Sequence, residues 1–131
     1  MKIVVATKNK GKIKELEYIL RDLNVQIVSQ RDMNIDVEVE EDGTTFEENA
    51  LKKATEIMKL SGEVTLADDS GLEVDYLNGA PGIFSARYAG EGASDADRNN
   101  KLLAELKDVP FEKRTARFVC VIAAVWPDGR K

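Results

Sequence analysis

The 131-residue chain contains no histidine, and this absence removes several classes of chemistry at once. Ser–His and Cys–His nucleophilic pairs need an imidazole base, and histidine metal sites need its ring nitrogens. A single cysteine, Cys120, rules out an internal disulfide and fits a reducing compartment. It stands in the apolar run Phe118-Val119-Cys120-Val121-Ile122, where a buried, inert thiol is expected. Positive charge is also scarce: 19 Lys and Arg against 24 Asp and Glu leave a net charge of −5. Nucleic-acid surfaces are normally basic, so no nucleic-acid partner is expected. No apolar run approaches the ~20 residues that span a bilayer, and the N-terminus lacks the apolar core of a signal peptide. The expectation is a cytoplasmic protein with no membrane partner. Chemistry must then run on carboxylates, lysines, hydroxyls, or a metal held by oxygen.

What is present reads as one soluble, globular domain over residues 1–131, with 43% hydrophobic and 33% charged residues. The run Ile3-Val4-Val5-Ala6 has the signature of a buried strand, and Val25 to Val28 reads as a second. Between them Ile13, Leu16, Leu20 and Leu23 recur at helical spacing. Strand, helix, strand in that order predicts a parallel pair with a right-handed crossover. The polar loop Thr7-Lys8-Asn9-Lys10-Gly11-Lys12 therefore lies at a strand's carboxyl end and a helix's amino end, where an anion is favoured. It has one glycine and no Gly-Lys-Ser/Thr ending, so it is not a Walker loop.

Farther along, Ile35, Val37 and Val39 alternate with Asp36, Glu38 and Glu40, predicting a half-buried strand with an acidic face. Thr45-Phe46-Glu47-Glu48 fits a capping box. The helix it opens places Asn49 and Lys53 four residues apart on one face, with Lys53 expected in solvent. Ser61-Gly62 is a plausible stop. Ala67-Asp68-Asp69-Ser70-Gly71 lies between Val64-Thr65-Leu66 and Leu72-Glu73-Val74. Two adjacent carboxylates leaving a buried strand are costly unless water, a cation or a hydrogen-bond network receives them. Asp-Ser-Gly is also ordinary turn chemistry. Ser94-Asp95-Ala96-Asp97 signals another helix start, and Ala116 to Trp126 a long apolar strand followed by Asp128-Gly129, half of a hairpin. An exposed apolar edge of that kind is normally avoided. The pattern leads us to expect a longer protein cut short, with a covering partner chain as the competing explanation.

Several segments together resemble one family, the inosine triphosphate pyrophosphatases that clear non-standard purine nucleotides. They are Ala6-Thr7-Lys8-Asn9-Lys10-Gly11-Lys12, Thr45-Phe46-Glu47-Glu48-Asn49-Ala50, Lys53-Ala54, Ala67-Asp68-Asp69-Ser70-Gly71-Leu72, Gly79-Ala80-Pro81-Gly82, Ser85-Ala86-Arg87-Tyr88, and Arg117-Phe118 with Cys120. The resemblance implies an α/β fold, a mixed twisted sheet flanked by helices, with the C-terminal part of the second lobe missing. Family members continue through a Gly-Phe-Gly-Tyr-Asp-Pro loop and a Ser-His-Arg motif that shape the purine pocket, and neither occurs here. The implied activity is Mg²⁺-dependent hydrolysis of ITP, dITP and XTP to the monophosphate and pyrophosphate, in a homodimer.

By the same resemblance Thr7, Lys8, Asn9, Lys10, Gly11 and Lys12 hold the triphosphate, Lys53 reaches phosphate, and Ser70 contacts substrate. Glu40 and Asp69 match the metal-binding carboxylates, with Asp69 also the general base. The register is fixed only locally there, so Glu41 stays open as the metal ligand in place of Glu40. Two further readings compete: a non-catalytic module that binds Mg-nucleotide without the purine-reading lobe, and a phosphoacceptor domain. The latter would carry its acidic pair after the first strand rather than a later one.

Overall fold

The four residues Lys2–Val5 form strand β1, whose Ile3, Val4 and Val5 are buried. The computed structural model describes residues 1–131. Helix α1 (Lys10–Ile19) leads through a short 3-10 turn to β2 (Gln26–Ser29), and β2 pairs with β1 in parallel, Lys2 opposite Gln26 and Val5 opposite Ser29. Helix α2 (Phe46–Ser61) follows, and then β3 (Val64–Val74), which lies parallel to β1 on its other side. With β4 (Ala116–Val125) the mixed sheet has the order β2-β1-β3-β4. The expected strand–helix–strand start and the α/β class are both present.

Helix α2 forms where the sequence signals it. Thr45 Oγ1 accepts from the Glu48 N–H at 3.1 Å, and Gly62, at φ 70°, ends the helix in the left-handed conformation that glycine adopts at least cost. The Glu48 carboxylate accepts chiefly from the Thr44 N–H, at 2.7 Å, with the Thr45 N–H a weaker contributor, so the expected capping box is shifted by one residue.

The chain divides into two compact units, Met1–Asp69 with Val121–Lys131, and Ser70–Cys120. In the first, Val4, Ala6, Ala54, Ile57, Ala67 and Val125 form the core, and Ile35 and Val39 pack against it. Burying an aliphatic side chain as fully as Ile57 is worth about 1.5–3 kcal/mol. In the second, Val74, Leu106 and Val109 pack with Leu72, Leu77 and Leu102. Helix α3 (Asp95–Glu105) there starts on a full capping box between Ser94 and Asp97.

Three expectations are corrected. Asp68-Asp69-Ser70-Gly71 is neither a strand end nor a turn, because β3 runs unbroken through it. Pairing with β1 ends at Val5 opposite Leu66, while β4 remains the neighbour of β3 in the sheet. Residues 35–40 form no strand. Ile35 and Val39 do turn to the core, but Val37 is 41% exposed, and its carbonyl accepts from the Gln30 side chain rather than from a ladder. Cys120 is exposed, not buried. Strand periodicity puts it with Phe118 and Ile122, 86% and 55% exposed, on the face of β4 that solvent reaches.

Candidate active site

The first unit gathers its chemistry where β1 ends and its pairing with β3 stops. Beyond Val5 the chain turns at Thr7, whose Oγ1 accepts from the Asn9 N–H at 3.1 Å. Asn9 then caps α1, its Oδ1 accepting from the N–H groups of Gly11 at 2.9 Å and Lys12 at 3.3 Å. A Cβ on Gly11 would sit 3.2 Å from that oxygen, so glycine keeps the cap close. Two first-turn N–H groups are thus engaged by Asn9, and the attraction for an anion comes from the helix dipole and three lysines. Lys8 and Lys10, with Thr7, line an open cleft of about 760 Å³ that Gln30, Arg31 and Asn34 face from the other wall. Lys8 also lies 3.7 Å from Asp36, an exposed pair worth little. Lys12 points elsewhere, to Asp68 Oδ2 at 2.8 Å.

That ion pair exposes the logic of the double aspartate. Neighbouring residues of a strand point to opposite faces, so Asp68 and Asp69 cannot share a partner. The Asp68 side chain meets Lys12 from α1, whereas Asp69 lies beside Asn49 from α2. Lys53, also from α2, donates to the Asp68 backbone carbonyl at 2.9 Å and pairs with the Glu41 carboxylate. Its side chain is 17% exposed. The expected solvent-facing lysine is therefore held inward by a carbonyl and a carboxylate.

Asp69 is the least comfortable group here. It is 6% exposed, and its Oδ2 has no hydrogen-bond partner. Burial pushes its pKa above the ordinary carboxylate value; Glu41 and Asp68 push the same way, while Asn49 and Lys53 pull it down. Asn49 is 1% exposed. Its Oδ1 accepts from the Gly43 N–H at 2.7 Å, and its Nδ2 has no partner.

The structure thus brings Lys53 and Glu41 to Asp69, and Lys12 of the capped loop to the neighbouring Asp68. It does not bring Glu40 to them. Glu40 is exposed, whereas Glu41 lies between Lys53 and Asp69. Ser70 belongs to the second unit and is exposed. Asn49, Gly43 and the pairing of Asp68 were not singled out for the site beforehand. The four-residue spacing of Asn49 and Lys53 was the available signal, since whatever Lys53 faces Asn49 faces too.

Chemically, the arrangement offers cations for an anion and a buried carboxylate with an oxygen to spare. No cluster of three Asp, Glu or Cys side chains could hold a metal ion unaided. Mg²⁺ commonly takes only one or two carboxylates and completes its shell with water and substrate phosphate. The orphaned Asp69 Oδ2, with Glu41 close by, fits that pattern.

Comparison with known proteins identifies the family and the fold. The model of the Ham1 family matches residues 3–131. A dITP/XTP pyrophosphatase of Clostridium perfringens is 55% identical over 136 aligned positions, covering 99% of this chain and 67% of that protein. One from Geobacter sulfurreducens is 55% identical over 130 residues, covering 99% and 65%. Among solved structures, the Staphylococcus aureus Ham1 protein superposes with a TM-score of 0.87 at 45% identity, covering 99% of this chain and 66% of that one. A nucleoside-triphosphatase, dITP/XTP pyrophosphatase, from Mycobacterium abscessus gives 0.84 at 47%, covering 99% and 68%. The chain spans about two thirds of the length of these proteins.

Proposed function

The chain belongs to the Ham1 family, and from that premise we propose that the protein hydrolyses the purine nucleoside triphosphates ITP, dITP and XTP to monophosphate and pyrophosphate. The observation that carries the reading is a double aspartate on β3 whose two faces are served separately, Asp68 by Lys12 from the lysine-rich start of α1 and the buried, half-satisfied Asp69 by Asn49 and Lys53 from α2. The names of the curated relatives favour turnover over a non-catalytic nucleotide-binding module.

In this reading Thr7 and Asn9 shape the loop, and Lys8, Lys10 and Lys12 draw the triphosphate to the amino end of α1. Lys53 neutralises a second region of phosphate charge from α2. Asp69 Oδ2 accepts the proton of the attacking water, its raised affinity for protons suiting a general base. Asp69 and Glu41, the latter in the place expected of Glu40, would hold Mg²⁺. When bound, that ion supplies charge neutralisation at the phosphate oxygens. Ser70 remains proposed as a substrate contact. Assembly as a homodimer and work in the cytoplasm belong to the same proposal, by resemblance alone. No helix is long and apolar enough to cross a membrane.

The test is pyrophosphate release from ITP, dITP, XTP, ATP and GTP, with and without Mg²⁺. Hydrolysis of the first three, far above ATP and GTP and dependent on the metal, is expected. Equal rates on ATP would sink the substrate assignment, and tight Mg-nucleotide binding without turnover would favour the binding module.

A further inference from the structure

Two buried polar atoms without a hydrogen-bond partner, Asn49 Nδ2 and Asp69 Oδ2, belong to neighbouring residues. One is a donor and the other an acceptor. An unmet buried polar group is costly, and the Asn49 side chain, which pulls the Asp69 pKa down as a hydrogen-bonding neighbour, faces that carboxylate with no other partner for its Nδ2. The other end of the Asn49 carboxamide is fully committed. Its Oδ1 takes the Gly43 N–H at 2.7 Å, and a Cβ on Gly43 would fall 2.7 Å from that same oxygen and 2.8 Å from Glu48 Cβ. Gly43 lies two residues beyond Glu41, whose carboxylate pairs with Lys53 one helical turn after Asn49. A single carboxamide, 1% exposed, therefore stands between the two segments that carry the acidic groups of the site, the 41–43 loop and β3.

We propose that Asn49 is a positioning residue: its Oδ1 holds the Glu41 loop in place through Gly43, and its Nδ2 orients the Asp69 carboxylate, so that both acids converge on one spot. It touches neither substrate nor metal and acts through Asp69 and Glu41. The inference rests on the hydrolase reading and deepens it. Groups that orient ligating carboxylates characteristically matter 10–100-fold in metal affinity or activity.

Two neutral variants test it. Asn49→Ala removes both arms of the clamp. Gly43→Ala leaves Asn49 and Asp69 intact but drives a methyl against the carboxamide oxygen. In each, kcat and KM for dITP are measured, together with the Mg²⁺ concentration that gives half of the maximal rise in melting temperature of the nucleotide-free protein. The expected result is a kcat lower by about 10–100-fold and a Mg²⁺ midpoint higher by a similar factor, with KM within about threefold because the lysines are untouched. In an Asp69→Asn background, Asn49→Ala should move the Mg²⁺ midpoint by less than in the wild type, because only the arm through Gly43 to Glu41 is left to lose. A folded Asn49→Ala protein with wild-type kcat and Mg²⁺ midpoint overturns the proposal. So does a loss confined to melting temperature and active fraction, which is what a packing role would give. Should Asn49→Ala not fold, Gly43→Ala decides by the same criteria. If the wild type fails to hydrolyse dITP, the functional reading falls, while the Mg²⁺ midpoints still decide whether Asn49 aligns the two acids.

Discussion

Replacing Asp69 with Asn should make the fold more stable while ending turnover. The Asp69 carboxylate is 6% exposed and its Oδ2 is unpartnered. An unsatisfied buried polar atom costs about 1–3 kcal/mol. Asparagine keeps the shape, removes the repulsion from Glu41 and Asp68, and offers a carbonyl to the waiting Asn49 amide. Its own amide must find an acceptor in turn, so we take the lower end, a gain of about 1 kcal/mol. For a chain of this length that is a rise of about 3–5 °C in melting temperature. The assay is thermal unfolding in EDTA, since a bound cation would stabilise the wild type selectively. The pH dependence has a definite sign. Burial raises the folded-state pKa of Asp69 above its ordinary value of 3.8, so the cost of the charged form is fully present above the folded value and vanishes below the unfolded one. The advantage of Asp69→Asn should shrink steadily as pH falls from 7 to below 4. Turnover should drop by about 10²–10⁴, the usual worth of a positioned base. A variant melting several degrees below wild type at pH 7 in EDTA would refute the reasoning, because it would mean that the carboxylate is well satisfied. Near-wild-type turnover would remove Asp69 from the base role.

The remaining predictions concern charge and caps. Lys53→Met strips a donor from the Asp68 carbonyl and a partner from Glu41. KM for dITP should rise about tenfold or more, as befits a charged hydrogen bond worth about 1.5–3 kcal/mol, and steady-state kinetics showing an unchanged KM would take Lys53 out of phosphate binding. Asn9→Ala and Ser94→Ala each remove an N-cap, costing about 1 kcal/mol in urea unfolding, yet only Asn9→Ala should also raise KM. A similar KM effect from Ser94→Ala would break the assignment of the cradle to the loop of Asn9. Asp32, Asp42, Glu48 and Asp97 are held below ordinary carboxylate values by hydrogen bonds from Ser29, Lys52, Thr44 and Ser94 respectively. Their contributions are present above ordinary values of 3.8 to 4.5 and are lost as pH falls through the folded ones. Urea midpoints measured from pH 6 to pH 2 should therefore decline most steeply below about pH 4, and a flat profile there would contradict the bonds.

Local signals carried the reading of the fold wherever the determinant was local. Thr45, Gly62 and Ser94 do what their types suggest, because a cap is decided within four residues. Misreadings arose where a distant partner decided the outcome. Asp68-Asp69-Ser70-Gly71 has turn chemistry by composition, yet it is strand because β3 has β4 for a neighbour in the sheet. Ile35, Val37 and Val39 alternate as a strand would, but nothing offers them a ladder, and Ile35 and Val39 pack as single anchors of a coil. For the candidate site, the sequence pointed to the loop and to Asp69, and to Lys53 only by resemblance, whereas which of Glu40 and Glu41 lies near Lys53 depends on how a coil reaches α2, and no periodicity encodes that.

The placement of Asp68 and Asp69 on opposite faces of β3 has an evolutionary consequence. Adjacent codons here address separate compartments: one faces the α1 lysine, the other the α2 asparagine. Substitutions at Asp68 act first on how the loop of α1 is held, and reach Asp69 only through the charge of Asp68, which helps to raise the Asp69 pKa. Deleting the Asp68 codon would by contrast move Asp69 to the address that faces α1 and put Ser70 at the one that faces α2. Tolerance to point mutation and intolerance to deletion should therefore coexist at the Asp68 codon, a signature that a deep mutational scan with indels would read directly.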